Sequence, residues 1–176
     1  MIKNFLSFKI LSLNNKFFSN LTFLMIAVLS VGIAYALFFS PPDIIQGDSA
    51  RIMYVHVPSS FIALGLFGFI GFASLCNLIF KIKFISLMAK SFALIGLIFT
   101  LISIITGSIW GKPTWGTWWA WDARLTSMLI LFIFYIVYIL TWKFISNYDL
   151  ANKISSVIGI IGSFNLPIIK YSVDWW

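Results

Sequence analysis

The sequence predicts an all-α fold, a polytopic transmembrane helical bundle, and three observations carry that expectation. Hydrophobic residues make up 61% of the chain and charged residues 10%, a balance that a water-soluble core cannot absorb. Uncharged apolar runs recur at lengths near the 20 or so residues that cross a bilayer as a helix. The basic residues gather in the gaps on one side of those runs, as the positive-inside rule describes for cytoplasmic loops.

Taken in order, Leu21 to Phe39 forms the first expected span, without a charge over its length. Val57 to Phe80 forms the second, and its several glycines suit close helix packing in lipid. Residues 91–110 and 125–142 supply the third and fourth. Residues 154–169 make a shorter fifth span in which Asn165 and Pro167 predict a kink near the outer end. Pro58 is placed to open the second helix, because the first helical position lacks a backbone partner in any case. The whole chain reads as one transmembrane domain.

Eight lysines (Lys3, Lys9, Lys16, Lys81, Lys83, Lys90, Lys143 and Lys153) fall on one side of this arrangement with one aspartate. On the other, Arg51, Lys112, Arg124 and Lys170 are balanced by Asp43, Asp48, Asp122 and Asp174. The asymmetry predicts a cytoplasmic N-terminus. Phe38-Phe39-Ser40-Pro41-Pro42 lacks the small-residue pattern of a signal-peptidase site, so the first span is expected to be retained. Basic character here does not imply nucleic acid, since nothing resembles a recognition module. Cys76 is the only cysteine and lies in an apolar run, which leaves no disulfide framework, thiolate metal site or Cys-x-x-Cys-His motif; it reads as a packing residue.

Five of the eight tryptophans fall between Trp110 and Trp121, inside an outer loop spanning 107–124. Tryptophans at span ends commonly form an interfacial belt, but a belt should populate both faces, and Trp142 alone lies on the inner one. The cluster is therefore read as a ligand platform. Gly111, Pro113 and Gly116 interrupt any regular helix, whereas Trp115, Trp118, Trp119 and Asp122 have the spacing of one helical face. A short helix along the membrane would present these rings as a shelf, which suits a flat macrocycle such as a porphyrin. Asp122 has either a ligand role or the role of N-cap to the fourth span.

His56, the only histidine, stands on the same side in Met53-Tyr54-Val55-His56-Val57-Pro58. Beside such a shelf it is a candidate axial ligand for haem iron. Arg51, Lys112 and Arg124 are candidate partners for propionate carboxylates, although span-end arginines also meet lipid phosphate. No carboxylate pair, Ser/His/Asp set, phosphate loop or metal cluster supports hydrolytic or nucleotide chemistry.

Trp115-Gly116-Thr117-Trp118-Trp119-Ala120-Trp121-Asp122-Ala123-Arg124-Leu125-Thr126-Ser127 resembles the tryptophan-rich signature of the haem-handling membrane proteins of cytochrome c maturation. Tyr54-Val55-His56-Val57-Pro58, Gly111-Lys112-Pro113 and Lys170-Tyr171-Ser172-Val173-Asp174-Trp175-Trp176 extend that resemblance to the smallest branch of the family. The resemblance implies a six-helix protein of the bacterial inner membrane that holds non-covalent haem b at the periplasmic surface for loading onto a haem chaperone. Its expected partners are haem, that chaperone, subunits of an ABC-type transporter and a small membrane subunit. It implies a delivery component more than a turnover enzyme. Carried over residue by residue, His56 matches the axial histidine, and Trp115, Trp118, Trp119, Trp121 and Asp122, with Arg124 beside them, match the haem-contacting signature. The family places a second axial histidine and a sixth span beyond Asp174-Trp175-Trp176; these 176 residues contain neither, so the expectation is either a fragment or a shortened gene, with five spans present. The contrasting expectation is a cofactor-free membrane subunit whose tryptophan loop docks a protein or anchors at the interface.

Overall fold

The computed structural model describes residues 15–172, so Asp174, Trp175 and Trp176 lie outside the described residues. Helices are the regular elements of the described chain: α1 (Asn15–Phe38), a 3-10 turn (Asp48–Ile52), α2 (Met53–Phe80), α3 (Lys83–Trp115), α4 (Ala123–Phe144), α5 (Tyr148–Ser163) and α6 (Asn165–Tyr171). Five helical stretches are long and apolar enough to cross a membrane, with α5 and α6 together forming the fifth. The chain divides at Pro41-Pro42 into two compact units. The first contains α1, whose 24 residues rise about 36 Å, enough for the roughly 30 Å hydrocarbon core. Its end is finished locally, with the Ser40 hydroxyl donating to the Ala36 carbonyl at 2.6 Å.

The second unit is a bundle of α2 to α6 built around Phe67, Leu131 and Tyr135, all fully buried. Phe67 and Tyr135 meet edge to face at 4.8 Å. The Tyr135 hydroxyl donates to the Ala63 carbonyl at 2.7 Å, which satisfies a polar group that would be costly to bury alone. Gly96 makes room for that phenol, since a Cβ at this position would overlap the Tyr135 ring. Glycines let α2 and α5 approach in the same way: a Cβ on Gly71 would strike Ser163, and one on Gly159 would strike Ser74. Small residues at helix crossings are the means by which helices associate in lipid, where apolar burial alone gives no net drive.

Three local expectations change. Pro58 sits inside α2, because the 3-10 turn over Asp48–Ile52 runs directly into the helix and its geometry starts the helical path five residues earlier. The proline then loses only the bond it would make to the Tyr54 carbonyl near the helix start. Gly111 and Pro113 do not interrupt α3, which continues to Trp115. The Trp115 ring folds back over Gly111, where a Cβ would come within 3.0 Å of it, and Pro113 falls in the last turn. Gly116, at φ 76°, ends the helix by donating to the Lys112 carbonyl, a left-handed C-terminal stop that glycine takes without strain. In consequence residues 116–122 are not helical, and Trp115, Trp118, Trp119 and Asp122 do not share a helical face.

The break between α5 and α6 falls at Phe164, with Pro167 in the first turn of α6, where its missing N–H has no helical partner to lose. Asn165 fixes the bend by donating to the Ser127 carbonyl of α4 at 2.8 Å. At the opposite end of the bundle, α2 and α3 are joined through Lys81 and Ile82 alone, with Lys81 in the left-handed conformation (φ 56°, ψ 35°). It is the one non-glycine residue with positive φ among the described residues, at a cost of about 1–2 kcal/mol.

Candidate functional site: an imidazole in a tryptophan-walled recess

The ends of α2, α3, α4 and α6 enclose a recess of about 670 Å³, counting its open mouth. His56 and Ser60 of α2 line one side, Gly107, Trp110 and Trp115 of α3 another, and Arg124 and Met128 of α4 a third.

The orientation of His56 follows from its neighbours. Its Nδ1 lies 3.0 Å from the Ser103 carbonyl and 3.1 Å from the Thr106 hydroxyl oxygen. A carbonyl only accepts, and the Thr106 hydroxyl already donates to the Ile102 carbonyl at 2.7 Å. Nδ1 must therefore carry the proton, which leaves the Nε2 lone pair free of that bond. The ring packs on Gly107, where a Cβ would come within 3.1 Å of its Cε1. Below it, the Ser60 hydroxyl donates to the His56 carbonyl at 2.9 Å and stands 2.6 Å from the Ser103 hydroxyl, tying α2 to α3 at this level. An imidazole held by a carbonyl through one nitrogen and presenting the other is how metal-ligating histidines are prepared.

Trp110 and Trp115 form the apolar wall, edge to face at 5.1 Å. Trp110 is oriented from a tight turn: its indole N–H donates to the Gln46 side-chain oxygen at 3.0 Å. That turn is closed by paired backbone bonds between Asp43 and Gly47 and by the Asp43 carboxylate, which accepts from the Ile45 and Gln46 N–H groups at 2.8 Å each. The same two donors hold the Asp43 carboxyl below the ordinary carboxylate range.

The expected site residues are thus divided. His56, Trp115 and Arg124 meet at the recess. Trp118, Trp119 and Trp121 lie on the 116–122 segment and do not line it. Trp119 packs edge to face on Trp121 at 5.6 Å, and Trp118 lies under the Lys112 ammonium at 5.9 Å. Asp122 caps α4, accepting from the Leu125 N–H at 2.7 Å. Of the three cations, Arg51 pairs with Asp48 at 3.3 Å and Lys112 donates to the Gly116 carbonyl at 2.9 Å. Arg124 makes no hydrogen bond or ion pair among the described residues and stands on the recess lining. Sequence reasoning did not single out Ser103, Thr106, Gly107 or Gln46 as supports of the site. Their connections to His56 and Trp110 cross between elements 47 to 64 residues apart, and periodicity within one helix carries no signal for that.

Fold and recess together define a polytopic helical membrane protein with a histidine-bearing, tryptophan-walled site at one end of its bundle. A family model described as "Heme exporter protein C" matches residues 4–176, and the chain belongs to that family. It is 42% identical to the Heme exporter protein C of Escherichia coli (strain K12) over 151 residues, 86% of this chain and 62% of that protein. The Haemophilus influenzae protein of the same name is 44% identical over 154 residues, covering 88% and 63% of the two chains. The one from Bradyrhizobium diazoefficiens is 38% identical, covering 86% and 57%. The chain spans about three fifths of the length of these curated relatives.

Proposed function

We propose that the recess binds haem b non-covalently and presents it, as cargo, for transfer to a haem chaperone during c-type cytochrome maturation. The observation that carries this reading is the committed tautomer of His56, whose Nε2 is left as a lone-pair donor on the lining of an apolar, tryptophan-walled recess. Haem presents a flat apolar macrocycle, an iron that takes an axial nitrogen and two carboxylates. The residues fit that set: His56 supplies the nitrogen, Trp110 and Trp115 supply ring contact, and Arg124 supplies an unpaired guanidinium for a carboxylate. Trp118, Trp119 and Trp121 extend the apolar surface along the adjoining segment. In this reading the chain sits in a bacterial inner membrane with the recess on the periplasmic side and its N-terminus in the cytoplasm. It works there beside ABC-type transporter subunits and a small membrane subunit.

The deciding experiment is a visible spectrum of the detergent-purified chain with haem. A Soret band with a nitrogen-ligated signature is expected. Trp115→Ala should keep that signature while haem affinity drops severalfold, since a lost aromatic ring contact costs about 1 kcal/mol without touching the iron bond. Unchanged affinity would remove the tryptophan wall from the proposal. Sidedness has its own measurement: a reporter fused after Gly116 should be active only as a periplasmic enzyme and one fused after Ile82 only as a cytoplasmic one, and the reverse pattern overturns the topology.

A cofactor-free docking surface is the second reading. One observation favours it: Trp118 and Trp121 are 57% and 78% exposed and stand outside the recess lining. A purified chain that stays colourless with added haem and still captures a periplasmic partner would select that reading.

A further inference from the structure

The opposite end of the bundle carries a second recess, independent of haem. It lies between α2, α3 and α5 and measures about 670 Å³ with its mouth. Three lysines, Lys81, Lys83 and Lys153, stand around it with Asp149, over a floor that includes Asn77 and Asn152. We propose that this recess binds a phosphate group, supplied by the headgroup of an acidic membrane lipid.

Charge is the first support. Asp149 is taken by Lys83 at 2.9 Å, and Lys81 and Lys153 have no side-chain hydrogen bond or ion pair among the described residues. Two unneutralised ammonium groups therefore share one rim. The backbone places them: Lys81 occupies a left-handed position where glycine would be unstrained, and the two-residue turn through Ile82 brings Lys83 to the same edge.

The floor is the second support. Asn77 and Asn152 are each only 5% exposed. The Asn77 amide donates to the Ser156 hydroxyl at 2.9 Å, the Asn152 amide donates to the Asn77 side-chain oxygen at 2.9 Å, and the Ser86 hydroxyl bonds the Asn152 side-chain oxygen. Each amide nitrogen has a second N–H beyond the one it donates, with no protein acceptor among the described residues. Both amides are fixed in orientation by the network, and both residues line the recess. Buried amides with an N–H to spare, on the lining of a recess that two free ammonium groups share, suit an oxyanion better than a neutral ligand. The recess also opens where the candidate spans α2 and α3 end, at the level of lipid headgroups, and basic recesses between transmembrane helices are known to hold such headgroups.

The test is native mass spectrometry of the full 176-residue chain without haem. It is released from nanodiscs of phosphatidylcholine with or without one fifth phosphatidylglycerol, and in a separate arm given millimolar inorganic phosphate. The wild type is expected to retain one phosphatidylglycerol, and Lys81→Gln/Lys153→Gln to lose it at least tenfold. Lys90→Gln/Lys143→Gln removes the same charge from α3 and α4, outside the lining of this recess, and should retain it. Circular dichroism checks that all three chains are folded. Saturable, lysine-dependent binding of inorganic phosphate with no retained lipid would keep the phosphate site and reassign its source to a free anion. Equal lipid retention by both double variants and the wild type would overturn the proposal, since the lipid would then answer to bulk positive charge. No retention in either arm would overturn it as well.

Discussion

His56→Ala is expected to abolish nitrogen ligation of haem iron and lower haem retention by well over tenfold, while the helical content of the chain stays unchanged. The side chain is half-buried at a bundle end and is replaced by a good helix former, so folding gives no competing explanation. Two further variants separate ligation from mere presence of the ring. Thr106→Val removes one acceptor of the Nδ1 proton and leaves the Ser103 carbonyl, and an outer-shell loss of this kind should cost about tenfold in affinity. Gly107→Val forces branched carbons into the space of the imidazole, where even a single Cβ would come within 3.1 Å of the ring; it should turn the ring away from Ser103. His56 is the only histidine, so ¹⁵N labelling of histidine reads its tautomer directly. The expected spectrum without haem is that of Nδ1–H, and Gly107→Val should change it. A wild-type chain whose proton resides on Nε2 would contradict the hydrogen-bond assignment and, with it, the preparation of the site.

Gly96→Ala is expected to be among the most destabilising single substitutions in the chain. The added methyl would occupy the space of the Tyr135 phenol, which is fully buried and cannot swing away without breaking its bond to the Ala63 carbonyl and its contact with Phe67. Overpacking costs about 1–3 kcal/mol, and a buried hydroxyl left without an acceptor adds about 1–3 kcal/mol. Thermal unfolding in detergent should show a large drop in midpoint. Tyr135→Phe alone should cost only about 1 kcal/mol, the net value of a typical hydrogen bond. Gly96→Ala combined with Tyr135→Leu should recover part of the loss, because neighbours that share one space are not additive. Additive losses would show that the alanine is accommodated elsewhere and that Tyr135 does not depend on Gly96.

Legibility from sequence differed by element and by residue. Asp122 illustrates the favourable case: the acid before an apolar run was readable as a cap, and its carboxylate does accept the Leu125 N–H. Proline and glycine illustrate the other. Gly111 and Pro113 have the local character of helix breakers, yet tertiary fit keeps α3 intact through both, the glycine because the Trp115 ring occupies the space above it. Of the three expected breakers, Gly116 alone stops the helix, one residue after Trp115, where a left-handed turn is compatible with the exit of the chain. That stop removed the helical shelf expected from the spacing of Trp115, Trp118, Trp119 and Asp122. It left Trp115 at the recess and carried Trp118, Trp119 and Trp121 to the neighbouring segment.

What the sequence determined by itself was the all-helical class, the five apolar crossings, the charge asymmetry and the family, because these rest on composition, run length and local motif. Only the tertiary structure decided which faces of those helices meet. In lipid every apolar face is equally well solvated, so hydropathy ranks none of them as inward, and the choice falls to small residues and buried hydrogen bonds that act across long separations. Ser103 and Thr106 fix the proton on His56 from another helix, Gly96 admits Tyr135, and Asn77 and Asn152 find each other across 75 positions. Each of these pairings is a contact of shape and polarity between distant residues, and a one-dimensional pattern does not encode it.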